Sequence, residues 1–113
     1  MINIEKINDV LLVSLKNDSK LNVAISQSFK QEVTKLIDQP GMKIIINLGE
    51  VEYIDSSGFG ALLSVLRASK NNESQLKLCN ISADVMELVK LLQLHSVFDI
   101  RNSVDDCLST FRL

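Results

Sequence analysis

The chain has no tryptophan, one proline, one histidine, one tyrosine and two cysteines among its 113 residues. Those shortages narrow what it can do. A conventional zinc site needs four Cys, His or acidic ligands in close spacing. Here His95 is alone, Cys79 and Cys107 stand far apart, and no Cys-x-x-Cys occurs. Burial in a reducing compartment accounts for both thiols. There is no Gly-x-x-x-x-Gly-Lys-Ser/Thr run to cradle a nucleotide's phosphates, and Gly58-Phe59-Gly60 is too short for a dinucleotide fingerprint. Serine catalysis lacks its parts as well. Ile54, not glycine, stands two residues before Ser56, so the nucleophile-elbow pattern is missing. His95 lies in Leu94-His95-Ser96, leaving a helical pattern, where a histidine reads as a surface or helix-end residue. Asp55, beside Ser56, is a solvated carboxylate and a weak base at neutral pH. No enzymatic activity, metal or cofactor is expected.

Large charge and long apolar runs are also absent. Twelve basic and fourteen acidic residues leave a formal charge of −2, which attracts neither nucleic acid nor an anionic membrane. No apolar run approaches the length of a membrane span. Met1-Ile2-Asn3-Ile4-Glu5 has no basic stretch followed by an apolar one, so no signal peptide is read there. The expected location is the cytoplasm. No linker, repeat or low-complexity segment breaks the chain, and residues 1–113 read as a single domain.

What is present alternates strand and helix signals. Ile2 and Ile4 alternate with polar residues, Asn8-Asp9 marks a turn, and Val10 to Leu15 is apolar on both faces until Ser14. This predicts a hairpin whose second strand lies deep in a sheet. Asn22 is placed to cap a helix carrying Ile25, Phe29, Val33, Leu36 and Ile37 on one face, ended by Pro40-Gly41. Lys30, Lys35 and Lys43 read as a solvated face. Met42 to Leu48, with its Ile44-Ile45-Ile46 run, is the central strand. A second helix carries Phe59, Leu62, Leu63 and Leu66, to about Ser69. Leu76-Lys77-Leu78 is a strand. Ser82 caps a helix carrying Val85, Met86, Leu88, Val89 and Leu92. Val97 to Ile100 is a short strand, and Ser103 opens a last helix with Val104, Cys107, Leu108 and Phe111. The order β-β-α-β-α-β-α-β-α predicts an α/β fold: a mixed, mostly parallel sheet of about five strands with about four helices.

The stretch Glu52-Tyr53-Ile54-Asp55-Ser56-Ser57-Gly58-Phe59-Gly60 joins the central strand region to the second helix. Ser56 or Ser57 is placed to cap that helix. Read by itself, Asp-Ser-Ser-Gly is a turn and a helix cap. An exposed hydroxyl there would also stand near the helix's positive end, a place that tolerates an added phosphate.

In its wider setting, Asn47-Leu48-Gly49-Glu50-Val51-Glu52-Tyr53-Ile54-Asp55-Ser56-Ser57-Gly58-Phe59-Gly60 resembles the signature of the STAS domain, and in particular of bacterial single-domain anti-sigma-factor antagonists. The likeness extends over nearly the whole chain in element order. The resemblance implies a protein that binds an anti-sigma factor, itself an ATP-dependent serine kinase, and so frees a sigma factor. It implies phosphorylation on the serine after the motif aspartate, here Ser56, with Ser57 as the secondary candidate, and a phosphatase that reverses it. ATP would come with the kinase. The partner-binding residues it implies are Asn22, Asp55, Ser56, Ser57, Gly58, Phe59 and Gly60. Many such antagonists carry Gly-Glu-Leu/Ile-Asp before the first helix, where this chain has Ser19-Lys20-Leu21-Asn22. That departure motivates an alternative: a phosphorylation-independent scaffold in a lipid-transport ATPase or signalling assembly.

Overall fold

A computed structural model describes residues 2–111; of the expected 1–113 unit, Met1, Arg112 and Leu113 lie outside the described residues. The elements are β1 (Ile2–Ile7), β2 (Val10–Leu15), β3 (Lys20–Leu21), α1 (Val23–Leu36), β4 (Lys43–Asn47), β5 (Tyr53–Ile54), α2 (Ser56–Asn71), β6 (Gln75–Cys79), α3 (Ala83–Leu91), β7 (Asp99–Arg101) and α4 (Val104–Thr110). A 3₁₀ turn, Leu94–Ser96, lies between α3 and β7. The main sheet has the order β1-β2-β4-β6-β7. Its β1–β2 pair is antiparallel, and the β2–β4, β4–β6 and β6–β7 pairs are parallel. The mixed, mostly parallel α/β architecture is therefore as expected from the sequence.

The Ile44-Ile45-Ile46 run is central because helices cover both faces of the sheet. Side chains alternate along a strand. Ile44 and Ile46 face a core shared with Phe29 and Val33 of α1, Leu62 and Val65 of α2, and Val85 and Val89 of α3. Ile45 faces the other way, with Val10, Cys79, Cys107 and Phe111 beneath α4. Each such fully buried side chain contributes about 1.5–3 kcal/mol.

On that second face the sheet holds a buried lysine. Lys77 is 5% exposed. Its ammonium pairs with Asp99 at 2.5 Å and lies 4.9 Å from the centre of the Phe111 ring. Asp99 also accepts from Arg101 at 2.7 Å. Burial raises the Asp99 carboxyl's pKa, but the bonds from Lys77 and Arg101 outweigh it and hold it below the ordinary value.

Several expectations need correction. Ile4 is 47% exposed, on β1 at the edge of the main sheet. Leu88 and Leu92 are exposed, because the inward stripe of α3 is only Val85 and Val89, with Met86 half-buried. α1 stops at Leu36, before Pro40-Gly41, with the Ile37 N–H bonded to Thr34 O. The last strand starts at Asp99 rather than Val97. The 3₁₀ turn draws Phe98 into the core and leaves Val97 exposed. Lys43 is not a free surface charge: it pairs with Asp9 at 3.0 Å. Finally, β3 and β5 form a separate two-stranded pair absent from the expected order. Two residues each are too few to display a period.

Candidate functional site

The short β3–β5 pair builds the site. Lys20 lies opposite Tyr53 and Leu21 opposite Ile54, in parallel register. Leu21 and Ile54 are buried, which seats the pair on the core. The Asp55 N–H extends the ladder by donating to Leu21 O at 3.3 Å. Each strand then runs through one residue into a helix: β3 through Asn22 into α1, and β5 through Asp55 into α2. The N-termini of the two helices are thereby brought side by side.

Asp55 joins them. A helix leaves its first backbone N–H groups without internal partners, and a side-chain oxygen just before it can accept from them. The extended backbone of Asp55 (φ −96°, ψ −175°) aims its carboxylate back over α2. Oδ1 accepts from the Gly58 N–H at 2.9 Å and from the Ser57 hydroxyl at 2.5 Å. Oδ2 accepts from the Val23 N–H of α1 at 3.2 Å. One carboxylate thus serves two helix starts, and these donors lower its pKa, the Ser57 hydroxyl first and the Gly58 N–H next. Asn22 caps α1 as expected, accepting from the Ala24 N–H at 3.1 Å.

The cap of α2 is therefore Asp55, not Ser56 or Ser57. Ser56 and Ser57 are the first two helical residues. The correction separates the serines. Ser57 is half-buried, with its hydroxyl proton committed to Asp55, and its oxygen lies 3.2 Å from Ser26 Oγ. Ser26 gives its own proton to Asn22 O at 2.5 Å. Ser56 is exposed, and its hydroxyl has no partner among the described residues.

The glycines divide likewise. A Cβ on Gly58 would stand 2.2 Å from Leu21 O and 2.7 Å from Ile54 Cγ2. Glycine is therefore required where α2 passes over β3. A Cβ on Gly60 would meet nothing within 4 Å. Phe59 is 6% exposed and belongs to the core. Of the residues expected to face a partner, Asn22, Asp55, Ser56, Ser57 and Gly60 gather at this edge, while Gly58 and Phe59 are buried behind it.

Two neighbours fall outside the residues expected from the sequence: Val23 is 77% exposed and Tyr53 is 49% exposed; Lys20, already marked by the Ser19-Lys20-Leu21-Asn22 departure, is exposed beside Tyr53. Val23 lies off the inward stripe of α1, a signal that was there to be read. Among the described residues no three His, Cys, Asp or Glu side chains cluster to hold a metal, and no helix is long and apolar enough to cross a membrane. His95 is exposed in the 3₁₀ turn.

Comparison with known proteins gives the family. The STAS domain family model matches residues 1–107. The chain is 23% identical to BtrV of Bordetella bronchiseptica over 111 residues, 98% of this chain and 94% of that one. It is 22% identical to the anti-sigma-B factor antagonist of Staphylococcus aureus over 104 residues, 92% of this chain and 96% of that one. Its fold is similar to an anti-sigma-factor antagonist (STAS) domain protein from Planctomyces limnophilus, with TM-score 0.86, 17% identity and 96% of each chain covered. It is also similar to the anti-sigma factor antagonist SpoIIAA in its unphosphorylated form, with TM-score 0.70, 17% identity, and 98% of this chain and 100% of that one covered. With nearly its whole length matched by one family model, the chain belongs to the STAS domain family.

Proposed function

We propose that this protein is an anti-sigma-factor antagonist. It binds an anti-sigma factor that is also a serine kinase, frees the sigma factor, and is switched off when that kinase phosphorylates Ser56 with its own ATP. A phosphatase restores it. The names of the Staphylococcus aureus relative and of SpoIIAA support the class. The observation that carries the choice of residue is the contrast between the serines. The Ser56 hydroxyl is exposed without a partner among the described residues, whereas phosphorylating Ser57 would break its bond to Asp55.

The switch is electrostatic. A phosphate adds roughly −1.5 to −2 charge at neutral pH. On the first residue of α2 it sits at the helix's positive end, so the fold tolerates it. A partner covering Ser56 would have to desolvate that charge next to Asp55. A penalty of about 3 kcal/mol weakens binding roughly a hundredfold. The decisive experiment compares capture of the kinase by wild type and Ser56→Asp, with intact mass measured on protein recovered from cells. Capture lost in Ser56→Asp and one phosphate on Ser56 are expected; undiminished capture refutes the switch.

A second reading, a phosphorylation-independent scaffold of a lipid-transport ATPase or signalling assembly, is favoured by Lys20 and Asn22 standing where many antagonists carry acids. Copurification with a transport ATPase, with no phosphate on the recovered chain, would select it.

A further inference from the structure

The main sheet ends in two edges of different kind. β7 is 3 residues long, and its Asp99 is paired with Lys77 and Arg101. β1 is 6 residues long and pairs with β2 from Ile2↔Leu15 to Ile7↔Val10 without a bulge. It carries no proline. Asn3, Ile4, Glu5 and Lys6 are exposed, and Ile4 sets an apolar side chain in the middle of the edge. Bulges, proline and brevity are common means of keeping an edge from pairing with another chain, and β1 has none of them.

The turn decides which backbone groups are free. Asn8-Asp9 closes the β1–β2 hairpin through two residues, so Ile7 and Val10 exchange main-chain hydrogen bonds. Bonded pairs recur at every second residue, so Asn3, Glu5 and Ile7 turn their N–H and C=O toward β2. Ile2, Ile4 and Lys6 turn theirs away from the sheet, and no other main-chain group meets them among the described residues. The side chains of these three lie on the face that Val13 and Leu15 turn to the main core.

We infer that β1 is a homodimer interface. Two copies pair antiparallel along this edge about a two-fold axis at Ile4, joining two five-stranded sheets into one. Because the strands are identical, few registers are open. Outward groups must meet outward groups, so facing positions are both even-numbered or both odd. Centring on Ile4 sets Ile2 against Lys6, Ile4 against Ile4 and Lys6 against Ile2, each a bonded pair, with Asn3 against Glu5 between them. Centring on Glu5 leaves Ile4–Lys6 as the bonded pairing and sets two carboxylates face to face, which is unfavourable. Centring on Asn3 leaves Ile2–Ile4 alone. Only the Ile4 register satisfies all three outward residues. It also covers the exposed Ile4 with its own counterpart and lets the Asn3 amide donate to the Glu5 carboxylate of the second copy. The apolar stem of Lys6 lies along Ile2 with its ammonium in water. None of Asn22, Asp55, Ser56 or Ser57 lies on β1 or β2, so the dimer carries two copies of the Ser56 edge. Contact through one short strand is small, and a Kd of roughly 10–100 μM is expected.

The test is sedimentation of the full chain from about 5 μM to about 1 mM, where monomer should give way to dimer. Ile4→Lys sets two ammonium groups face to face and should stay monomeric throughout. Ile4→Pro removes an outward N–H without touching a β1–β2 bond, a place where an edge strand tolerates proline, and should also be monomeric. Asn3→Glu places two carboxylates opposite Glu5 and its counterpart and should weaken the dimer about tenfold at low salt, less at high salt. Asn3→Arg should tighten it severalfold. In hydrogen exchange, the Glu5 amide should be protected at every concentration, and the Ile4 and Lys6 amides only in concentrated protein. If Ile4→Pro lowers the melting temperature, Ile4→Lys and the exchange data decide. A wild-type monomer at the highest concentration overturns the inference. So does a dimer that survives Ile4→Lys, because the contact would then lie on another surface. Ile4 and Lys6 amides protected only on adding the anti-sigma factor overturn it in favour of a strand supplied by that partner.

Discussion

Two glycines two residues apart should answer the same substitution with opposite signs. At Gly58, alanine places a Cβ 2.2 Å from the Leu21 carbonyl oxygen, about 1 Å inside ordinary contact. That oxygen cannot simply move, because it belongs to the β3–β5 ladder and accepts the Asp55 N–H. The Ile54 methyl, at 2.7 Å, closes the other side. The start of α2 must therefore lift, drawing Asp55 away from Val23. Overpacking a close-packed site costs about 1–3 kcal/mol, and a collision with fixed backbone belongs at the upper end. The intrinsic helical advantage of alanine over glycine, about 1 kcal/mol, offsets only part of it. A net loss of about 2 kcal/mol is expected. At Gly60 the added methyl meets nothing, so the helical preference acts alone and Gly60→Ala should gain about 0.5–1 kcal/mol. For a chain of this length 1 kcal/mol corresponds to roughly 4 °C in Tm. Thermal and urea unfolding followed by circular dichroism should place Gly58→Ala about 8 °C below wild type and Gly60→Ala about 2–4 °C above it. Equal Tm values for the two variants would refute the close approach of α2 to β3.

Other expectations can be checked on the free protein. Asp55→Ala should lower Tm at pH 7 by uncapping two helices at once. Because the folded-state pKa of Asp55 is depressed, its contribution is complete above the ordinary carboxyl range, near pH 4, and is lost as pH falls through the lower folded value. The gap between Asp55→Ala and wild type should therefore narrow in acid melts; a constant gap would mean that the carboxylate's charge plays no part. Asp99→Ala leaves the buried Lys77 ammonium unpaired and should cost about 1–2 kcal/mol in urea unfolding, moderated because Asp99 is itself 38% exposed. Lys77→Met removes the need for a partner and should stay within about 1 kcal/mol of wild type. Burial first, and contact with Cys107 second, push the Cys79 thiol up to about 12. Both cysteines should resist alkylation at pH 8 until urea opens the fold; labelling as fast as a free thiol would mean that α4 does not cover them.

Much of the fold was legible because its signals are local. The Ile44-Ile46 run, the stripe of Phe29 and Val33, and the caps at Asn22, Ser82 and Ser103 each depend on neighbours within a few residues. Ser82 and Ser103 accept from Val85 and Asp106, three residues on, as the sequence suggests. What escaped depends on distant partners. A lysine can sit inside the sheet at position 77 because Asp99, 22 residues later, meets it. Leu88 and Leu92 read as core because a stripe shows which face a helix buries, not how far its neighbours reach. The site follows the same division. Asp-Ser-Ser-Gly was plain in the sequence, but that Asp55 rather than a serine would cap the helix was not, since the same carboxylate also answers Val23, 32 residues away. The two helix starts are separate local events until Leu21 pairs with Ile54 and sets them side by side. The exposure of Ser56 is then a property of that two-residue ladder as much as of its own motif. A change at Leu21, 35 residues before Ser56, should reach the Ser56 hydroxyl through Asp55.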